Sequence, residues 1–239
     1  AVDPTTDDIV GIRPTMVVLP DPKNPPCTER TMTDLKRIVD QCQSAQVAGA
    51  HEGVHPIVVV AETYIEFRKP GTLAATTLIN DYDNLAVSRT MSKAFAFAGA
   101  RVGYLAASEG IVDCLRIVRM PYHLSAVTQA VALAAFDHRK EQLSQVDHLR
   151  EIREQTAAWL KEQTYKGQPL EVAPSQSNFL LFGGHFDDRG AIFDQMLQRG
   201  VLIRVVGPEG WLRVCMGTDE EMRRFREALV ESMRAVENA

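Results

Sequence analysis

The hydrophobic residues of the first 107 positions fall into short apolar runs that predict the strands of a buried sheet. We expect these strands at residues 15–19, 57–60, 85–88 and 102–107. Between the first two, residues 31–45 predict an amphipathic helix, because Leu35, Ile38 and Val39 recur at helical spacing. The β-branched run at residues 57–60 is typical of a parallel strand that is buried on both faces. This alternation of strands with a helix predicts an α/β fold with a mostly parallel sheet.

After residue 120 the pattern predicts mainly helices. Residues 125–136 are almost wholly apolar and predict a buried helix, whereas residues 141–162 predict a charged, amphipathic helix that links two domains. Short strands are expected at residues 179–182, 201–204 and 211–216, around a helix at residues 190–198.

The last helix is predicted to begin with a capping box, in which Thr218 caps the backbone and Glu221 reaches back to it. The apolar stripe that follows is interpreted as core and consists of Met222, Phe225, Leu229 and Met233. We therefore predict a partial large domain at residues 1–140 and a small α+β domain at residues 141–239.

Composition narrows the possible partners of the chain. The 239 residues carry a net charge of −5, which argues against a nucleic acid or an anionic membrane as the main partner. The acidic, polar start predicts no signal peptide, and the apolar stretches are too short to cross a bilayer. Four scattered cysteines favour a reduced, cytoplasmic protein. The six histidines do not show the spacing of a common metal site, so we do not expect metal catalysis.

The strongest chemical signal surrounds Lys93, which follows the predicted strand that ends near Thr90. A lysine in apolar surroundings can lose its proton and form Schiff bases. Ser92 precedes it, and Arg101 follows eight residues later, so a hydroxyl and a guanidinium are available to bind a phosphate group. An amine beside a phosphate-binding site suggests pyridoxal 5'-phosphate (PLP), whose aldehyde reacts with the amine. On spacing alone, a surface lysine after a buried strand remains an open alternative.

Five ordered blocks of residues resemble one family. They are residues 64–67, 89–104, 121–125, 177–179 and 212–214. The chain resembles the fold-type I PLP-dependent aminotransferases, most closely the histidinol-phosphate aminotransferases, over nearly its whole length. The resemblance implies a PLP-binding large domain joined to a small C-terminal domain. It also implies a homodimer that exchanges an amino group between histidinol phosphate and 2-oxoglutarate (or glutamate) in histidine biosynthesis.

The resemblance also implies roles for individual residues. Lys93 would hold PLP covalently and move a proton during amino exchange. The cofactor phosphate would be bound by Ser92 and Arg101, with help from Thr90, and its phenolic oxygen by Tyr64 and Asn24. Arg213, assisted by Arg204, would bind the acidic end of the substrates. Each could instead be structural: Tyr64 a core residue, Asn24 a turn residue before Pro25, and Arg204 a surface charge.

Three departures from the family pattern weaken the expected activity. Ala61 stands where the family has the aspartate that keeps the cofactor's pyridine nitrogen protonated, and the adjacent Glu62 should point to the opposite face of the strand. Pro26 and Cys27 replace the Thr-Gly of the family's loop motif, and residues 46–55 resemble an insertion. Family members also carry about a hundred residues before the region that matches Pro14, so we expect a truncated large domain with an exposed apolar face.

Two alternative functions therefore stay open beside the aminotransferase. One is a non-catalytic homologue that acts, if at all, through subunit association. The other is an enzyme of the same fold with a different substrate, such as an aromatic or aspartate-type aminotransferase or a phospho-amino-acid decarboxylase. The residues at 120–125 favour histidinol phosphate over these.

Overall fold

The structure, a computed structural model, describes residues 4–24 and 28–238 of the chain. These residues form two compact units. The first consists of residues 4–24 and 29–143, and the second of residue 28 and residues 144–238. The predicted domain boundary between residues 140 and 141 stays a prediction. No helix within the described ranges combines the length and apolar character that crossing a membrane requires.

A four-stranded sheet forms the centre of the first unit. Its strands, in spatial order, are β1 (Met16–Pro20), β2 (Ile57–Ala61), β3 (Leu85–Thr90) and β4 (Gly103–Ala107). The first three are parallel, and β4 runs antiparallel to β3. The predicted α/β fold with a mostly parallel sheet is therefore confirmed.

Four helices accompany this sheet. They are α1 (Thr6–Ile12), α2 (Met32–Ser44), α3 (Glu109–Val118) and α4 (Ala126–Asp137). Thr31 caps α2 by accepting a hydrogen bond from the amide of Asp34 at 3.0 Å. Leu35, Ile38, Val39 and Cys42 of α2 are buried in one core cluster with alternate residues of β1, β2 and β3. The predicted amphipathic pattern thus packs this helix against one face of the sheet.

The prediction that the apolar segment at residues 125–136 is buried is wrong. The helix forms, as α4, but none of its residues is buried, and Val127 and Leu133 are largely exposed. Apolar composition predicts burial only where another element packs over the helix. Among the residues that the structure describes, no element covers α4 in this way.

The second unit packs two long helices and a shorter one with small antiparallel sheets. Its elements are α5 (Arg139–Lys161, which begins in the first unit), β5 (Thr164–Tyr165), β6 (Gln168–Pro169), β7 (Glu171–Val172), β8 (Phe179–Gly183), α6 (Arg189–Gln198), β9 (Trp211–Cys215) and α7 (Asp219–Glu237). One sheet has the order β7-β8-β9, and β5 pairs with β6.

The final helix follows its prediction closely. Thr218 accepts a hydrogen bond from the amide of Glu221 at 3.3 Å, and Glu221 accepts one from the amide of Thr218 at 2.7 Å. The predicted stripe of α7 is buried in the core of this unit, where Phe225 contacts Phe182 edge to face. The predicted strand at residues 201–204 is wrong, because the amide of Val201 donates to the end of α6 and only Arg204 bridges to β9.

Candidate active site

The carboxyl ends of the three parallel strands meet at one edge of the sheet in the first unit. Pro20 of β1 lies beside Ala61 of β2, which in turn lies beside Ser88 of β3. The antiparallel strand β4 begins at Gly103, opposite Thr90. The segments that leave or enter the sheet at this edge carry most of the predicted cofactor-binding residues of this unit. Parallel α/β sheets characteristically bind ligands at this edge.

Lys93 lies in the loop that follows β3, close to Tyr64. Its Nζ atom is 6.0 Å from the centre of the Tyr64 ring. The amide of Met91 donates to the carbonyl of Val102 at 3.2 Å, which ties the start of the loop to the entry of β4. Tyr64 is buried, whereas Lys93 is exposed. The two predicted residues are thus neighbours, and Lys93 is exposed as a whole residue among the described parts of the chain.

Two hydroxyl groups lie together beside this lysine. The hydroxyl oxygens of Thr90 and Ser92 are 2.8 Å apart. The amide of Ser92 donates to the Thr90 hydroxyl at 3.1 Å, and that hydroxyl also lies 3.3 Å from the carbonyl of Val102. Hydroxyl groups and backbone amides at a strand end are common ligands of phosphate groups. This pair therefore suits the predicted binding of an anion.

Arg101 occupies the turn that leads into β4. Its φ angle of 56° lies in the left-handed region, and its guanidinium donates to the carbonyl of Ala98 at 2.9 Å. A left-handed conformation costs a non-glycine residue about 1–2 kcal/mol, and such strain is concentrated at functional sites. The guanidinium thus contacts the turn that carries it, and the predicted binding of a phosphate group by Arg101 stays a prediction.

A buried ion pair that sequence analysis missed joins the ends of β2 and β3. The Glu62 carboxylate is fully buried and accepts hydrogen bonds from Nε of Arg89 at 2.8 Å and from the amide of Ala75 at 2.6 Å. Arg89 also reaches the hydroxyl of Thr76 at 3.3 Å. Glu62 is therefore committed to Arg89 and cannot substitute for the carboxylate that is absent at Ala61, the half-buried last residue of β2.

A second charged cluster joins Asp21, which directly follows β1, to Arg30 and Arg68. The buried carboxylate of Asp21 accepts a hydrogen bond from the amide of Arg30 at 2.8 Å and lies 3.2 Å from the guanidinium of Arg68. Burial raises the pKa of Asp21, although the Arg30 amide and both guanidinium groups oppose this change. Asn24 is exposed in the segment that follows β1. The predicted change of motif at Pro26 and Cys27 lies outside the described residues.

Two arginines lie side by side in the second unit. The amide of Arg204 donates to the carbonyl of Arg213 at 2.9 Å, and the amide of Arg213 donates to the carbonyl of Arg204 at 2.9 Å. Residues paired in this way project their side chains from the same face, where like charges repel. The guanidinium of Arg213 also lies 4.6 Å from the centre of the Phe179 ring. The pairing places Arg204 and Arg213 on one face of the unit, and their substrate-binding role stays a prediction.

One of the two unpredicted clusters leaves a signal in the sequence. Glu62 follows a buried strand directly, and Arg89 lies within the neighbouring strand, so the register of parallel strands could have paired them. The contact between Asp21 and Arg68 spans 47 residues and depends on the course of two loops, which no local pattern reveals.

The same arrangement of elements occurs in solved structures. The histidinol-phosphate aminotransferase from Sinorhizobium meliloti in complex with pyridoxal-5'-phosphate is 25% identical to this chain with a TM-score of 0.75, and the match covers 97% of this chain and 62% of that one. The histidinol-phosphate aminotransferase from Clostridium acetobutylicum is 17% identical with a TM-score of 0.74, and the match covers 98% and 67% of the two chains. The fold is that of the PLP-dependent aminotransferases.

Sequence comparison assigns the family. The model of the family described as aminotransferase class I and II matches residues 5–229, so the chain belongs to this family and the predicted resemblance is confirmed. The histidinol-phosphate aminotransferase of Bifidobacterium adolescentis is 72% identical over 236 residues, which are 99% of this chain and 60% of that protein. The histidinol-phosphate aminotransferase of Thermobifida fusca is 50% identical over 91% of this chain and 54% of its own length. The chain thus spans about three fifths of the first of these relatives.

Proposed function

We propose that this chain carries the cofactor-binding lysine and the substrate-binding arginines of a PLP-dependent aminotransferase that acts on histidinol phosphate and 2-oxoglutarate. The observation that carries the proposal is the position of Lys93 beside Tyr64 and next to the paired hydroxyl groups of Thr90 and Ser92, at the carboxyl edge of the sheet. The names of two relatives that are similar to the chain in sequence support the same substrate.

The residues at this edge of the sheet fit the aldehyde and the phosphate group of PLP, but they offer no charged partner to its pyridine nitrogen. Lys93 offers an amine, and the Thr90 and Ser92 hydroxyl groups offer hydrogen bonds to a phosphate group. Ala61, in contrast, offers the pyridine nitrogen no carboxylate. When bound, PLP supplies an electron sink for reactions at the α-carbon of an amino acid.

Each residue then has a defined task. Lys93 would hold the cofactor through its amine and, when not so engaged, accept or donate a proton at Nζ. Ser92, Thr90 and Arg101 would bind the phosphate group, while Tyr64 and Asn24 would donate hydrogen bonds to the phenolic oxygen. In the second unit, Arg213 and Arg204 would bind the phosphate of histidinol phosphate or a carboxylate of glutamate.

A titration with PLP tests the proposal. Retention of PLP after desalting and a new visible absorbance band are expected for the wild-type chain and for Lys36→Ala, which removes an exposed lysine of α2. Both signals should be lost in Lys93→Ala. Glutamate formation from 2-oxoglutarate should then be measured with histidinol phosphate and with a panel of other amino donors. Equal PLP retention by Lys93→Ala would contradict the proposal.

Ala61 favours a second candidate, a non-catalytic homologue that binds PLP weakly or not at all. A charge-assisted hydrogen bond at this position contributes about 2–3 kcal/mol, or roughly two orders of magnitude in rate. Ala61→Asp discriminates between the candidates, because a large gain in activity would mean that the site is otherwise intact. Measurable transamination by the wild-type chain would defeat the second candidate.

The remaining parts of the proposal concern assembly and location. We infer a homodimer and a cytoplasmic location. Reduced, scattered cysteines support the location, since Cys42, Cys114 and Cys215 are free thiols in the structure. Light scattering of the purified chain tests the dimer.

A further inference from the structure

The sheet β7-β8-β9 of the second unit has two different faces. One face belongs to the core cluster of the unit and carries four apolar side chains of β8 and β9: Leu180, Phe182, Leu212 and Val214. Side chains alternate between the two faces of a sheet along each strand. Phe179, Leu181 and Arg213 therefore lie on the opposite face, where Arg213 pairs directly with Leu181 and diagonally with Phe179.

The ring of Phe179 is buried and lies against the guanidinium of Arg213. Phe179 is 1% exposed, and the guanidinium carbon of Arg213 lies 4.6 Å from the centre of its ring. A cation within about 6 Å of the centre of an aromatic ring is attracted by the negative charge of the ring face. This attraction is stronger where water is excluded, and Leu181, the direct partner of Arg213, is 3% exposed. The surroundings of the pair therefore favour a strong cation–π contact.

A second positive charge acts on Arg213 from the other side of β9. Arg204 pairs with Arg213 through two backbone hydrogen bonds, so the two side chains leave the same face and repel each other. Arg204 is exposed, whereas Arg213 is half-buried. An arginine side chain has many rotamers, and a like charge beside it favours those that point away. The ring of Phe179 therefore supplies the attraction that holds Arg213 in place against Arg204.

We propose that Phe179 is a positioning residue, whose ring holds the guanidinium of Arg213 in the orientation that binds the anionic group of the substrate. An arginine that is already held in this orientation loses less side-chain freedom on binding, so its affinity for an anion is higher. A leucine would fill the same space on this face, as Leu181 does beside it, but it would offer the guanidinium no negative ring face. The inference rests on the anion-binding role that the proposed function gives to Arg213.

The test changes the charge of the ring face while it keeps the shape of the ring. Phe179 is exchanged for 3,4,5-trifluorophenylalanine, whose fluorine atoms withdraw electrons from the ring face and weaken its attraction for a cation. The matched control places the same residue at Phe182, which is also buried in β8 but faces the core, where it contacts Phe186 and Phe225. Phe179→Leu serves as a second variant, which removes the ring altogether.

Binding of inorganic phosphate to the 239-residue chain is followed by NMR of the arginine side chains. The Nε–H signal of Arg213 is identified by its loss in Arg213→Lys, and its shift with phosphate concentration gives a dissociation constant. The signal of Arg101, which the proposed function assigns to the cofactor phosphate, reports a separate site in the same titration. No cofactor and no turnover are needed, so the measurement does not depend on whether the chain is an active enzyme.

Trifluorination at Phe179 should weaken phosphate binding at Arg213 about fivefold, and Phe179→Leu should weaken it about tenfold or more. Trifluorination at Phe182 should leave the constant within about twofold, and the signal of Arg101 should respond alike in all variants. A loss of equal size in the Phe182 variant would overturn the inference, because it would show a general effect of packing.

Two further outcomes separate this inference from the proposed function. Equal phosphate binding at Arg213 in the wild-type chain and in both Phe179 variants would overturn the inference and leave the proposed function intact. An Arg213 signal that phosphate does not shift in the wild-type chain would overturn the anion-binding role of Arg213, and this inference with it.

Discussion

Replacing Glu62 by glutamine should destabilise the first unit selectively. The carboxylate is fully buried, with donors from Arg89 at 2.7 and 2.8 Å and from the amide of Ala75 at 2.6 Å. Glutamine would place a neutral amide group against the guanidinium and remove the carboxylate that Arg89 contacts in the buried pair. Breaking a buried ion pair by removing one partner costs about 3–5 kcal/mol. Because 21% of the Arg89 side chain remains exposed to water, we expect the lower end, about 3 kcal/mol.

The two units can be followed separately in one experiment. Both tryptophans, Trp159 and Trp211, lie in the second unit, so their fluorescence reports its unfolding. Cys42 lies in the core of the first unit, and burial raises the pKa of its thiol to about 11, so it reacts only when this unit opens. The experiment uses a variant in which the other three cysteines are replaced by serine. In this background, Glu62→Gln should increase the rate of Cys42 labelling about a hundredfold. The tryptophan transition should not move.

Controls separate the ion pair from a general loss of charge. Asp113→Asn removes one partner of an exposed pair with Arg116, and it should change the labelling rate less than about threefold. Combining Glu62→Gln with Arg89→Met should recover part of the loss, with a coupling free energy of about 2 kcal/mol. A labelling rate for Glu62→Gln within threefold of wild type would refute the reasoning, because it would mean that the pair contributes little.

Three further outcomes follow from the same structure. Thr218→Ala should lower the stability of the second unit by about 1 kcal/mol in a urea titration followed by tryptophan fluorescence, while Thr218→Ser should retain most of it. Burial raises the pKa of Glu66 above its ordinary 4.5, so the folded state binds this proton more tightly, and the resulting stability is present below pH 4.5 and lost as the pH rises through the raised value. Between pH 4 and pH 7, the melting temperature of Glu66→Gln should therefore fall less than that of the wild-type chain, as measured by circular dichroism. An identical fall for both proteins would contradict this. The exposed thiols of Cys114 and Cys215 should react with Ellman's reagent at least a hundredfold faster than buried Cys42 in the native chain, and comparable rates would mean that the first unit opens readily.

The four strands of the first unit were predictable because each is encoded locally. β-branched runs such as Ile57–Ala61 are suited to a sheet whatever surrounds them. The same local reasoning missed α1, although Thr5 and Asp8 form a capping box there, because a helix of only 7 residues is too short for its apolar positions to repeat over several turns. It also wrongly predicted that α4 is buried. An apolar composition favours burial of a helix, but it does not show whether another element packs over that helix.

Only part of the candidate site could be predicted from the sequence. The neighbours of Lys93 along the chain, Thr90 and Ser92, could be identified because their spacing is local. The pairing of Glu62 with Arg89 had a partial signal, because Glu62 directly follows one predicted strand and Arg89 lies at the end of the next; the contact itself also depends on β2 and β3 being neighbours in the sheet. The roles of the site residues stay predictions until a cofactor is bound to the chain.

The measurement that tests the central claim most directly locates the lysine that holds PLP. The chain is incubated with PLP, reduced with borohydride so that any lysine-bound cofactor becomes permanently attached, and digested for mass spectrometry. We predict that the modified peptide contains Lys93 at near-stoichiometric yield, and that Lys36→Ala behaves identically. Modification spread over many exposed lysines, or concentrated at another lysine while Lys93 stays unmodified, would contradict the claim.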